Sequence, residues 1–464
     1  MEVSVKKRQK HLSRQELEGL NKAELIDKVI QLQAYNIQLK NLLQKKLDAD
    51  AGDTVDPKDE SVDRTNKRKF DFSKSSKRHV LLKFLYFGWD YNGLACQEDS
   101  NKTIEYHIFK SLVRTCLIES RETSNYNRCG RTDKEVSAFC QVISIDLRSK
   151  FPEDQHFTDE TIKNEIDYCG LLNKVLPKNI QCIAWMPLRC KEYSARFDCK
   201  KRTYRYFFPI GDLKLQSMRE GCELLTKSVD ADFRNLCKMD VHNGVMNYKR
   251  KIYSATINEC PNQNEKGSFK MCYLEIQANS FLWHQIRCIM SVLMLIGEGK
   301  EEPNVIEDLL DISSNPCKPQ YTPAAAFPLN LYHCEFRKIS EKNKVRTQND
   351  HQLLIGEEEE PLENCDLSNW VYNKDNLLKL IETIQGGWTE QSVKSFMMRS
   401  VLSSLEDLLK QQYGDCNVTA QANILHECVR RKQYQQLMTR KRCESLENRV
   451  EHFVKKQRLV MKDS

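Results

Sequence analysis

Apolar and polar positions divide the chain into six stretches. Near the start, Leu25, Val29, Leu32, Asn36, Leu39 and Leu43 recur at alternating spacings of four and three. This is the a/d seam of a coiled coil, with one polar residue in its core row to fix register. Asn21 followed by Glu24 has the shape of a capping box. The pattern predicts a coiled-coil-like helix within residues 1–47, suited to self-association or to docking on the rest of the chain. Residues 48–78 carry too little apolar surface to order themselves and read as a disordered basic linker. Its clusters Lys67-Arg68-Lys69 and Lys77-Arg78 have the composition of a nuclear import signal.

Globular patterning begins at His79. "HVLLKFLYFGWDYNGLACQ" predicts a strand broken by Gly88 and Gly93, and Ile104, Ile108, Leu112 and Leu117 then fall at helical spacing. "FCQVISIDLRS" alternates Val142, Ser144 and Asp146 against Ile143, Ile145 and Leu147, as a strand does. Such elements continue to about Arg337 and predict an α+β pair of subdomains, residues 79–195 and 196–338. An acidic linker (339–366) with the run Glu357 to Glu360 precedes a helical basic C-terminal extension (367–464). In it Val393, Phe396, Met397, Val401, Leu405 and Leu408 form one stripe, from a candidate cap at Thr389 to Gly414, and read as a packing face.

Composition narrows the class. With 464 residues, 40% of them hydrophobic and 30% charged, the chain is long enough for two or three domains and reads as soluble and globular with hydrophilic extensions. No run of about 18 apolar residues suggests a membrane span. The first twenty residues lack the apolar core of a secretory leader, and their Glu residues argue against a mitochondrial transit peptide. The 19 cysteines include no C-x-x-C pair, which predicts reduced thiols in an intracellular compartment and no structural zinc. Net charge is +7, and from Leu425 to Ser464 eleven Lys and Arg stand against five Asp and Glu. A basic tail of this kind suits a polyanion, although a solvated basic helix has the same composition.

The segment "NRCGRTDKEVSAF", Asn127 to Phe139, carries the candidate chemistry. Asp133 follows Gly130 and lies between Arg131 and Lys134. A carboxylate that acts as nucleophile or base must stay ionised in a desolvated pocket, where burial alone raises its pKa. A cation must compensate. Residues adjacent to an aspartate on a turn or strand usually point elsewhere, so the partner is expected from a distant segment. Taken alone, an exposed Arg-Thr-Asp-Lys turn would look the same.

Five segments together resemble the TruA-type family of tRNA pseudouridine synthases: "YFGWDYNGLACQ", "CGRTDKEVSAF", "LNKVLPKNI", "YSARFDCKKRTYRYFF" and "NSFLWHQIRCIM". Order and spacing agree over roughly residues 79 to 337. The resemblance implies the pseudouridine synthase fold, two α/β subdomains with largely antiparallel sheets flanking a central RNA-binding cleft. It implies Asp133 as the catalytic aspartate, and Tyr204 as the tyrosine against the target base and a proton acceptor. Arg287 would be the arginine that pairs with the aspartate. Arg131 would hold the target nucleotide out of the stack, with Arg196 and Lys134 as further RNA-binding candidates. The implied reaction breaks the bond from uracil N1 to ribose, rotates the base and rejoins it through C5, on a nucleotide taken out of its stack. It needs no cofactor and no metal.

"SNYNRCGRTDKEVSAF" continuing into "QVISIDLRS", the N-terminal helix and "YQQLMTRKRCESLENRV" resemble the family's eukaryotic branch, which modifies positions 38 and 39 of the anticodon arm. The expectations are then tRNA as partner, a homodimer, and residence in nucleus and cytoplasm. An idle tRNA-binding or folding module, or a synthase for other uridines, would keep the same scaffold. Glu135 stands where the family usually has glycine, so a positive φ there would be strained. Ala278 and Ser280 likewise flank Asn279 where glycines are common, narrowing the approach of RNA backbone.

Overall fold

The hydrophobic run before Gly88 needs partners on both edges and both faces, and it finds them. The computed structural model describes residues 70–97, 100–227, 231–241, 244–261, 269–337, 370–416, 418–427 and 433–455. The expected coiled-coil-like helix, most of the basic linker and the acidic linker lie outside the described residues.

Eight strands form one sheet: β1 (Ser76–Tyr86), β2 (Asn127–Arg128), β3 (Ser137–Ser149), β4 (Ile180–Pro187), β5 (Cys199–Pro209), β6 (Ile252–Glu259), β7 (Met271–Ala278) and β8 (Leu329–Phe336). Their order is β4-β1-β3-β8-β5-β7-β6, with β2 on β3. Every pairing is antiparallel except β3 with β8, where Ser137 faces Asn330 and Ala138 faces Leu331. The two subdomains expected from sequence therefore share one continuous sheet, joined at a short parallel seam. Helices are α1 (Ile104–Arg114), α2 (Asp159–Lys163), α3 (Tyr168–Asn173), α4 (Leu215–Lys227), α5 (Gln285–Gly297), α6 (Val305–Leu310), α7 (Lys374–Tyr413) and α8 (Leu446–Lys455). No helix among the described residues is long and apolar enough to cross a membrane.

Two boundaries differ from expectation for physical reasons. Order begins before His79, because Ser76 and Lys77 already pair with Ser149 and Arg148. Arg78, expected in a basic linker, is fully buried, 3.2 Å from Glu165 and 5.6 Å over the Trp185 ring. A side chain so enclosed is not available to an import receptor. β3 alternates in sequence but not in exposure, since its polar residues meet buried polar partners. Asp146 bonds His79 at 2.5 Å, and Ser144 Oγ accepts from the Ala195 N–H at 3.1 Å. A central strand buried on both faces hides its polar face in this way.

The extension is no free arm. Val371 bridges to Trp185 at the β4 edge, and α7 then runs from Asn376, bonded to Asp167, to Arg399, stacked 3.9 Å over Phe269 beside β7. That is about 35 Å of helix, enough to reach from one edge of the sheet to the other. It begins at an Asn373 cap, so Thr389 lies inside it, and ends before Gly414 at φ 82°. Farther on, Leu437, Leu446 and Val450 are buried in the main core.

Candidate active site

The aspartate sits on the loop that enters the seam. Asp133 precedes β3 by four residues, and the first two residues of β3 make the parallel contact with β8. Buried bonds fasten the loop: Tyr86 Oη to Thr132 Oγ1 at 2.7 Å, Gln141 Nε2 to the Gly130 carbonyl at 3.0 Å, and the Leu94 N–H to the Thr132 carbonyl at 3.1 Å. Two glycines let the turn after β1 press on it. A Cβ on Gly88 would lie 2.0 Å from the Val136 carbonyl oxygen, and Gly93 combines φ +98° with a Cβ position 2.9 Å from the Thr132 oxygen. Glu135 has φ 66°, the left-handed conformation that its side chain disfavours by about 1 kcal/mol. The loop keeps its turn despite the residue, and the Glu135 N–H donates to the Tyr91 carbonyl at 3.1 Å.

Asp133 is partly buried, and that burial raises its pKa; the Arg287 charge, a bond from the Trp283 indole and the Lys238 charge oppose that rise. Its carboxylate lies 3.5 Å from His284 Nε2. Arg287, on the first turn of the wholly buried α5, is a cation from a distant segment whose charge acts on Asp133, but it makes no direct ion pair with it. Its Nη2 donates to both oxygens of Glu427 at 2.9 Å, and its Nε donates to the Ala324 carbonyl at 2.7 Å. The expected Asp133–Arg287 contact is thus replaced by a field acting through His284.

Tyr204 is buried on β5, edge-to-face with Phe281 at 5.2 Å. Burial holds its pKa well above the ordinary value, so the resting group is a neutral phenol and not a phenolate. Arg131, Lys134 and Arg196 are exposed. Lys134 pairs with Glu135 at 3.4 Å, and the Arg196 guanidinium lies 5.1 Å from the Phe197 ring centroid. Trp89, Phe139, Phe197, Trp283 and Phe327 expose large aromatic area, faces on which unpaired bases can stack.

Four residues escaped the sequence reading. Arg202 donates to the Asn279 carbonyl and to the Cys129 carbonyl, both at 2.8 Å, and so staples the Asp133 loop to the segment leading into α5. Both it and His284 lie within motifs that resemble the family's, Arg202 two residues before Tyr204 and His284 three before Arg287. Lys238, 4.2 Å from the Trp283 ring centroid, and Glu427 sit in stretches with no distinguishing pattern. Cys129, Cys199 and Cys334 place three buried sulfurs within 4.8 Å of one another. A cation among them would face the Arg202 guanidinium, whose charge already acts on the Cys129 thiol.

A partly buried carboxylate lies at the seam of two half-sheets, attended by cations and exposed aromatic faces, on a mixed α/β and mostly antiparallel sheet consistent with the pseudouridine synthase fold. Residues 230–337 match the family described as tRNA pseudouridine synthase. The chain is 40% identical over 417 residues to the tRNA pseudouridine(38/39) synthase of Homo sapiens, covering 85% of this chain and 80% of that protein. It is 33% identical over 416 residues to a probable tRNA pseudouridine synthase of Caenorhabditis elegans (86% and 95% covered). Against the tRNA pseudouridine(38/39) synthase of Saccharomyces cerevisiae it is 36% identical over 276 residues (59% and 60% covered). The chain belongs to the tRNA pseudouridine synthase family.

Proposed function

We propose that the chain isomerises uridine to pseudouridine at positions 38 and 39 of tRNA. The observation that carries this reading is the extended identity to tRNA pseudouridine(38/39) synthases, with Asp133 seated among basic and aromatic groups at the seam. Asp133 starts glycosidic cleavage as nucleophile or by taking a ribose proton. Arg287 favours its ionised form, and Tyr204 lies against the base. Arg131 and the exposed aromatic rings offset the few kcal/mol of extruding the nucleotide. Lys134, Arg196 and the basic tail contact phosphate and contribute affinity that falls with salt. The reaction is redox-neutral and transfers no external group, so no cofactor enters.

The working unit is a homodimer, supported by the apolar stripe of α7, where Phe396 is 78% and Val401 62% exposed. The N-terminal seam adds a second contact, and Lys67 to Lys69 direct part of the protein to the nucleus. The test is tritium release from tRNA labelled at uridine C5, followed by mapping of the product. Release that maps to 38 or 39 is expected; release mapped elsewhere would move the target, and none at all would leave a tRNA-binding module.

A further inference from the structure

We propose that Glu427, delivered by the C-terminal extension, is a positioning residue of this site: it holds the Arg287 guanidinium one imidazole away from Asp133. The inference rests on the reading of Asp133 as the reacting carboxylate.

The donors of Arg287 are divided among three elements. Nε goes to the Ala324 carbonyl at 2.7 Å, Nη2 to both Glu427 oxygens at 2.9 Å, and Nη1 lies 3.5 Å from His284 Nε2. The same imidazole nitrogen is 3.5 Å from Asp133 Oδ2. His284 is itself fixed at φ 56° as the residue that starts α5, and its Nδ1 is buried without a partner. Burial and the charges of Arg287, Lys238 and Lys318 push its pKa down to about 4, so at working pH the ring is neutral. A neutral ring has one N–H. Its Nε2 can donate to Asp133 or accept from Arg287, but not both. Aspartate and arginine therefore compete for one atom, and whatever anchors Arg287 decides the outcome.

Glu427 is that anchor, and its own placement is built in. The preceding residues lie along the Ala324–Ala326 segment: the Ala325 N–H donates to the Leu425 carbonyl at 2.8 Å, and His426 bridges to Ala324 and pairs with Glu298 at 2.7 Å. Leu425 is 2% exposed. Ala324 meets Arg287 as well, donating to its carbonyl at 3.0 Å. Arg287 and Glu427 are thus registered through the same residue. The groups facing Asp133 are Arg287, Lys238, His284 and the Trp283 indole, and Tyr206 approaches Arg287 and Glu427 while bonding the Ala325 carbonyl. Glu427 brings a carboxylate to this basic set and tempers the Arg287 field at Asp133.

The experiment is the pH profile of kcat and KM for C5-labelled tRNA with full-length Glu427→Gln and Glu427→Asp beside the unaltered protein. Removing the anion should let Asp133 ionise more easily. The acid limb of kcat should move to lower pH in Glu427→Gln, with kcat down about 10- to 100-fold as Arg287 loses its setting and KM within about threefold. Glu427→Asp keeps the charge and should restore the limb. An unmoved acid limb in Glu427→Gln, the same limb in both variants, or a loss confined to KM would overturn the proposal. An unaltered protein that binds tRNA but releases no tritium would overturn the functional reading first, and this one with it.

Discussion

Helices α5 and α7 make opposite use of apolar residues. All 13 residues of α5 are buried, among them Arg287, whereas the 40 residues of α7 bury Leu380 and leave Phe396, Met397, Val401 and Leu405 more than half exposed. An apolar stripe states only that a helix needs a partner. In α5 the partners are the sheet and α4, and the packing that hides the helix also fixes a charged side chain to within bonding distance. In α7 no described residue covers the stripe.

If that contrast is right, substitutions near α5 have large effects and substitutions on α7 small ones. The largest is expected at Asp133, which α5 faces through His284 and Arg287. Asp133→Asn is nearly isosteric and removes the ionised carboxylate, so product should fall by at least about 10³-fold while tRNA affinity stays within a few-fold. Single-turnover tritium release beside filter binding measures both; turnover retained by the variant would remove the aspartate from the mechanism. Next is Leu293→Ala, at a fully buried position on α5. Deleting that side chain should cost about 2–5 kcal/mol in urea unfolding, the transfer term plus a cavity that a helix closed on all sides cannot collapse.

Much of the catalytic half was legible because its signals are local and chemical. Gly88, Gly93 and Asp133 sit in one short run of strand, turn and loop, and the misfit at Glu135 was readable as a demand for positive φ, which the loop makes. The contacts that set charge were not legible. Arg287 and Glu427 lie 140 residues apart, and nothing in a lone glutamate before a basic run marks it as the partner of a buried arginine. Nor does periodicity tell a packing face from an interface. The spacing of the α7 stripe reads as a packing face, and the same spacing belongs to a stripe that no described residue covers. The seam was hidden for a related reason: two antiparallel halves and one continuous sheet share the same strand pattern and differ in a contact of two residue pairs.

Smaller effects sharpen the comparison. Glu135→Gly should raise stability by about 1 kcal/mol, because glycine adopts φ 66° without the steric cost that glutamate bears there. The gain should appear as a higher urea midpoint with an unchanged slope; no gain would mean that the Lys134 pair and the greater freedom of unfolded glycine offset the strain.

The smallest expected change in stability carries the most information about α7. Phe396 is 78% exposed, so Phe396→Ser should alter the unfolding free energy of an isolated protomer by no more than about 0.5 kcal/mol. If the stripe is the surface through which two copies meet, the same substitution removes a large aromatic contact from the interface, and loss of one such anchor is commonly worth 2 kcal/mol or more, about 30-fold in dissociation constant. Light scattering over a dilution series should then show the dimer giving way to monomer at correspondingly higher concentration, with tritium release per site preserved where the dimer persists. A mass that dilutes identically in both proteins would assign the stripe to another partner and leave α5 as the only one of the two helices whose apolar face has been accounted for.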